Sequence, residues 1–141
     1  LTSDHGWNTI KHKQFLIDTI LRFHEAGIRT SIFVDPDDDM VRHAKDTGTD
    51  RIELYTESYA SEFPKGKESA IAPFVSAAEV ANEVGLGLNA GHDLDLDNLK
   101  YFAQNIPDLL EVSIGHALIA RALFRGLGPV VEEYLQITGS R

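Results

Sequence analysis

Four short apolar stretches, each closed by a polar turn and followed by a helix-like segment, constrain this 141-residue chain more than any other feature. They are Arg29 to Val34 (RTSIFV), Arg51 to Tyr55 (RIELY), Gly87 to Ala90, and Leu109 to Ile114 (LLEVSI). Ahead of the first lies Asn8 to Ala26, whose Ile10, Phe15, Ile17, Ile20, Leu21 and Phe23 have helical spacing, with Gly27 as the stop. Helices are predicted over Asp39 to Thr47, closed by Gly48, and over the Ala-rich Ile71 to Val84, closed by Gly85. A short helix is expected from Asn98 to Gln104, and an apolar one from Ala117 to Phe124. Thr56 to Ser69 reads as a long polar loop, and Gly91 to Asp97 as a turn.

Strands that alternate with helices pair in parallel through right-handed crossovers, because antiparallel neighbours need only tight hairpins. The chain is therefore α/β. Its repeat of roughly 25 to 35 residues is the size of one βα step in a (β/α)8 TIM barrel, a fold of typically ~250 residues. Four βα units then make about the C-terminal half of a barrel, with residues 1–141 belonging to one domain. An open doubly wound sheet uses the same unit, but no G-x-G-x-x-G follows any predicted strand, which favours the barrel. A half-barrel leaves two sheet edges unpaired, so the other half is expected in another segment or chain. The start at Leu1, with residues Leu1 to Asn8 resembling neither a signal peptide nor a targeting helix, is read as the middle of a longer protein.

Composition narrows the partners. Thirteen Lys and Arg against 22 Asp and Glu give a net charge of -9, which repels nucleic acid and anionic membranes, so an anionic ligand must be held by local geometry. Without cysteine there are no disulfides, thiolate nucleophiles or zinc-thiolate sites, which fits a cytoplasmic protein. No apolar run approaches the ~20 residues of a membrane span.

In both α/β architectures ligands bind beyond the carboxyl ends of the strands. Here those ends are polar. Gly115 and His116, followed by an apolar helix, offer a backbone amide without a side chain and the free N–H groups of a helix start, a phosphate-holding arrangement. The plainer reading of that pair is a tight βα turn with a capping histidine. His92, at the end of the third strand, is the candidate acid, since an imidazole with its ordinary pKa near 6.5 exchanges protons at neutral pH. His12, His24 and His43 fall on predicted helices and are read as ordinary histidines. Glu53 alternates with Ile52 and Leu54, so it faces the barrel interior if they pack under helices; a carboxylate there is costly unless bonded or used. The alternative is an exposed edge-strand glutamate. Asp35, Asp37, Asp38 and Asp39 lack the glycine and terminal Glu of an EF-hand and read as charge at a helix start, not a metal site.

Laid in order, Thr2-Ser3, Phe33-Val34-Asp35, Ile52-Glu53-Leu54-Tyr55-Thr56, Asn89-Ala90-Gly91-His92 and Ile114-Gly115-His116-Ala117 resemble the pyridoxine 5'-phosphate synthase family, with "YTESYA", "LGLNAGHDL" and "VSIGHALIARALFRGL" covering essentially the whole chain. The resemblance implies a (β/α)8 enzyme of vitamin B6 biosynthesis that condenses 1-deoxy-D-xylulose 5-phosphate with 3-amino-2-oxopropyl phosphate. Imine formation, loss of water and phosphate, and ring closure give pyridoxine 5'-phosphate. It implies no metal or organic cofactor, and a homo-oligomer, commonly an octamer. By the same resemblance His92 is the proton donor and Glu53 stabilises charged states along the path. Gly115 and His116 grip the aminoacetone phosphate, and Thr2 contacts the deoxyxylulose phosphate. Asp93 stands where some relatives have Gly in a substrate-contacting turn, so its contact is expected through the backbone. The family's base histidine and a second glutamate map onto no residue of this sequence, so this segment alone is expected to be inactive.

Two other readings stay open on the residues themselves: a different sugar-phosphate barrel isomerase or aldolase, and a non-catalytic assembly module with open sheet edges. A Schiff-base aldolase needs a strand-borne lysine, and no predicted strand carries one.

Overall fold

Parallel pairing governs the whole sheet in a computed structural model, which describes residues 4–139. Thr2 lies outside them. The strands are β1 (Ser31–Val34), β2 (Arg51–Tyr55), β3 (Gly87–Gly91) and β4 (Leu109–Ser113), in the spatial order β1-β2-β3-β4. The helices are α1 (Lys13–Glu25), α2 (Asp38–Lys45), α3 (Glu57–Glu62), α4 (Lys67–Glu83), α5 (Leu99–Asn105), α6 (His116–Arg125) and α7 (Leu127–Thr138). Each strand neighbours the next one in sequence, with no reversal of order. A doubly wound sheet reverses at a switch point, whereas a barrel adds strands consecutively, so this sheet is an arc of a barrel.

Strand alternation sorts the two faces. Ile32, Val34, Ile52, Leu54, Leu88 and Ala90 are buried and share one core with Val41 and Ala44 of α2 and with Ile71, Phe74, Ala77, Ala78 and Ala81 of α4. The alanines of α4 let that helix lie close on the sheet. Under α3 and α5 the rings of Tyr59 and Phe102 meet at 5.0 Å and those of Phe74 and Phe102 at 5.7 Å.

That cluster explains the first departure from the sequence reading. The stretch predicted as a polar loop, Thr56 to Ser69, contains α3 and the first turn of α4. Tyr59 is fully buried and its hydroxyl donates to the Asn98 carbonyl at 2.8 Å. One anchored aromatic outweighs the polar residues around it. A second departure is α7, unanticipated by the sequence reading: Gly126, at φ 86, ends α6, and Val130 and Tyr134 bury the new helix. The chain before α1 also differs. Trp7 donates its N–H to the Phe33 carbonyl at 2.7 Å, so this segment runs beside β1, and α1 begins at Lys13 and not at Asn8.

At the opposite end of the sheet from the strand termini, Asp50 accepts from the Thr30 N–H at 2.7 Å and contacts His24 Nε2 at 2.8 Å. These bonds, the Thr30 amide foremost, hold the Asp50 carboxyl down at about 2. His43 lies 3.4 Å from Asp46, and His12 packs edge-on against Trp7. The acidic run is a helix start: Asp37 accepts from the N–H groups of Asp39 and Met40, and Asp38 and Asp39 occupy the first turn of α2.

Candidate active site

On the face of the sheet away from the helices, the register aligns Phe33, Glu53, Asn89 and Glu111 in one row. The next row toward the carboxyl ends contains Tyr55, Gly91 and Ser113. Since Ile52 and Leu54 are fully buried on the helix side, Glu53 projects to this inner face, and its strand lies between two others. The edge-strand alternative is gone.

A polar layer runs level with Glu53 and just beneath it. Arg51 reaches Glu111 Oε1 at 2.9 Å and donates to Asn89 Oδ1 at 3.1 Å, while Asn89 donates to Glu111 Oε2 at 3.4 Å. Arg29 adds a longer contact to Glu111, 3.4 Å. Sequence reasoning missed this layer, although the alternation that exposed Glu53 in RIELY also assigns Arg51 to the inner face.

Two residues converge on Glu53. The Ser113 hydroxyl donates to Oε2 at 3.3 Å, His92 Nδ1 stands 3.8 Å from Oε1, and only 17% of the glutamate side chain is exposed. Burial pushes the Glu53 carboxyl above its usual range; the Ser113 bond and the charge of His92 pull it back, and Glu111 adds to the rise. The group is a half-buried carboxylate whose charge depends on its neighbours.

His92 is fixed from its backbone. It sits at φ 80, a left-handed conformation rare for a residue with a side chain, and donates its N–H to the Ser113 carbonyl at 2.9 Å. Its ring meets Phe33 edge-on at 5.1 Å, leaving 64% of the side chain exposed toward the space above the strand ends. Gly91 makes the approach of β3 and β4 possible. A Cβ there would lie 2.4 Å from the Ser113 carbonyl oxygen, 2.8 Å from Ser113 Cβ and 3.0 Å from Glu53 Oε1.

Thr56, fully buried at the end of β2, donates its hydroxyl to the Gly91 carbonyl and accepts the Asp93 N–H at 3.2 Å. It ties one strand end to the histidine turn. The Asp93 carbonyl in turn accepts from Asn98 Nδ2 at 3.1 Å, so both backbone groups of Asp93 are used inside the turn. Its Oδ2 is buried and has no hydrogen-bond partner among the described residues. The backbone through which a substrate contact is expected thus already has partners within the turn.

Two residues beyond Ser113, Gly115 is the N-cap of α6 and His116 its first residue. No side chain caps this helix and its first turn carries no acidic residue, so the positive end of the helix dipole faces outward beside the His92 turn. A Cβ on Gly115 would meet nothing within 4 Å, which leaves open space over these amides. The structure thus brings His92, Glu53, Asp93 and the Gly115-His116 turn to one end of adjacent strands. Among the described residues no group of three or more His, Asp or Glu is placed to hold a metal ion, and no helix is long and apolar enough to cross a membrane.

A family model described as "Pyridoxal phosphate biosynthesis protein PdxJ" matches residues 1–140. Curated relatives are similarly named. Pyridoxine 5'-phosphate synthase of Flavobacterium johnsoniae is 60% identical over 136 residues, 96% of this chain and 57% of that protein. The enzyme of the same name from Christiangramia forsetii is 54% identical over 137 residues, 97% of this chain and 58% of its own. That of Bacteroides thetaiotaomicron is 54% identical over 134 residues, 95% of this chain and 56% of its own. The chain spans little more than half the length of the curated relatives it matches.

Proposed function

The chain belongs to the PdxJ family, and from that premise we propose that it forms the phosphate-holding, proton-donating wall of a pyridoxine 5'-phosphate synthase active site. The family is a TIM-barrel family, and the sheet described above corresponds to about half of it. On this reading residues 1–141 are the C-terminal half of a single barrel domain, and the base histidine and second glutamate belong to the rest of that barrel. The intact enzyme is a cytoplasmic homo-oligomer, an octamer by resemblance.

One observation carries the reading: Glu53 and His92 meet at the carboxyl ends of β2 and β3, beside the start of α6. His92 protonates the oxygen of each departing group, water or phosphate, as the pyridine ring forms. Glu53, once ionised, stabilises the positive charge of the protonated imidazole and of imine intermediates nearby. The N–H groups at Gly115 and His116 hold the phosphate of 3-amino-2-oxopropyl phosphate, and Thr2, by the family resemblance, contacts 1-deoxy-D-xylulose 5-phosphate. None of the strand sequences SIFV, RIELY, GLNAG and LLEVS bears a lysine, which speaks against a strand-borne Schiff-base aldolase.

The test is turnover by the intact protein given both substrates, with pyridoxine 5'-phosphate and released inorganic phosphate quantified together. Equal amounts of the two are expected. Failure to form the pyridine product, with the protein folded and both substrates present, would remove this reading.

A further inference from the structure

Ser113 touches every element of the acid-base pair. Its hydroxyl donates to Glu53 Oε2 at 3.3 Å, and its carbonyl accepts the His92 N–H at 2.9 Å. The absent side chain at Gly91 leaves room for this serine, because a Cβ at 91 would stand 2.8 Å from that of Ser113. Taken alone, Ser113 is a small exposed residue at the end of β4 with no evident task.

We propose that Ser113 is a positioning residue of the condensation: it orients the Glu53 carboxylate toward His92 Nδ1 and pins the left-handed turn that presents the imidazole. The proposal rests on the functional reading above, in which Glu53 and His92 act together. It adds a residue to that pair, acting through both of its members and not on substrate.

The chemistry asks for a neutral hydrogen-bond donor at this point. Burial and Glu111 both favour a protonated Glu53, and the pair needs it ionised if it is to hold a proton on His92. A hydroxyl supports the ionised form without cancelling its charge, as a lysine would. The groups facing Glu53 are few: Phe33 from β1, Arg51 and Tyr55 along its own strand, His92 from β3, and Glu111 with Ser113 from β4. Arg51 is already engaged with Glu111 and Asn89. Among the described residues, the Ser113 hydroxyl donates directly to this carboxylate.

The experiment is a carboxyl carbon NMR titration of Glu53 in the full chain without substrate, comparing the native sequence with Ser113→Ala and Ser113→Thr. Because the hydroxyl favours the ionised carboxylate, its loss should raise the Glu53 midpoint by about 0.5 to 1 pH unit, and threonine should restore it. In the intact enzyme, Ser113→Ala should move the acid limb of kcat upward by a similar amount while KM changes less than twofold. An unmoved Glu53 midpoint in a natively folded Ser113→Ala chain overturns the proposal. Should the alanine variant not fold, Ser113→Cys keeps the size and most of the shape while weakening the donor, and the same upward shift is required of it. A shifted midpoint in a protein without condensation activity would refute the functional reading and leave the coupling standing. Activity with an unshifted midpoint would do the opposite.

Discussion

Replacing His92 with alanine in the intact enzyme is expected to slow the condensation by about 10²- to 10⁴-fold, the range of a lost general acid. The loss should fall on kcat, since proton donation to a departing group matters in the transition state and little in substrate binding. The exposed ring has few packing contacts to lose, and the turn is held by the backbone bond from His92 to Ser113 and by the Thr56 hydroxyl, which donates to the Gly91 carbonyl and accepts the Asp93 N–H. A left-handed φ is nonetheless better tolerated by asparagine than by alanine, so His92→Asn separates the two effects. It should retain the turn and lose the rate. Native turnover in both variants would strip His92 of the donor role.

Gly91→Ala is expected to damage both fold and site. Its added methyl would lie 2.4 Å from a backbone oxygen of the neighbouring strand, a contact no rotamer can relieve. β3 and β4 must then part at their carboxyl ends, and overpacking of this kind typically costs about 1 to 3 kcal/mol or more. The denaturant midpoint should fall accordingly. Because the same methyl would stand 3.0 Å from Glu53 Oε1, the separation also pulls Glu53 away from Ser113 and His92, and activity should drop even in the fraction that folds. Gly115→Ala offers the contrast: space is open there, so stability should hold. A Gly91→Ala protein with the native midpoint would mean that the strands approach less closely than described.

How far the sequence could be read depended on whether the signal was local. The strands were legible because apolar alternation is a two-residue pattern, and the same alternation in RIELY turned Glu53 inward. Strand order followed from the helices between strands, since each crossover returns the chain beside the strand it left. Helix α3 was not legible, because its reason for folding is Tyr59 packing on Phe74 and Phe102, which arrive from far along the chain. Likewise the site's supporting residues escaped. Thr56 and Ser113 are ordinary strand-end residues until β2, β3 and β4 lie side by side, and only then does a threonine bridge two turns and a serine reach a glutamate. Asp93 shows the converse: its type and place are evident in the sequence, but the commitment of its backbone inside the turn appears only in three dimensions.

In the function proposed, the carboxyl ends of β3 and β4 form one wall with two tasks, a backbone phosphate grip and a proton donor. Amide NMR of the intact protein during titration with inorganic phosphate tests it most directly. Saturable shifts centred on the Gly115 and His116 amides, weakened by raising the ionic strength and extending to His92, are predicted. Shifts absent from these amides, or spread evenly over surface lysines and arginines, would rule out a phosphate grip at the start of α6.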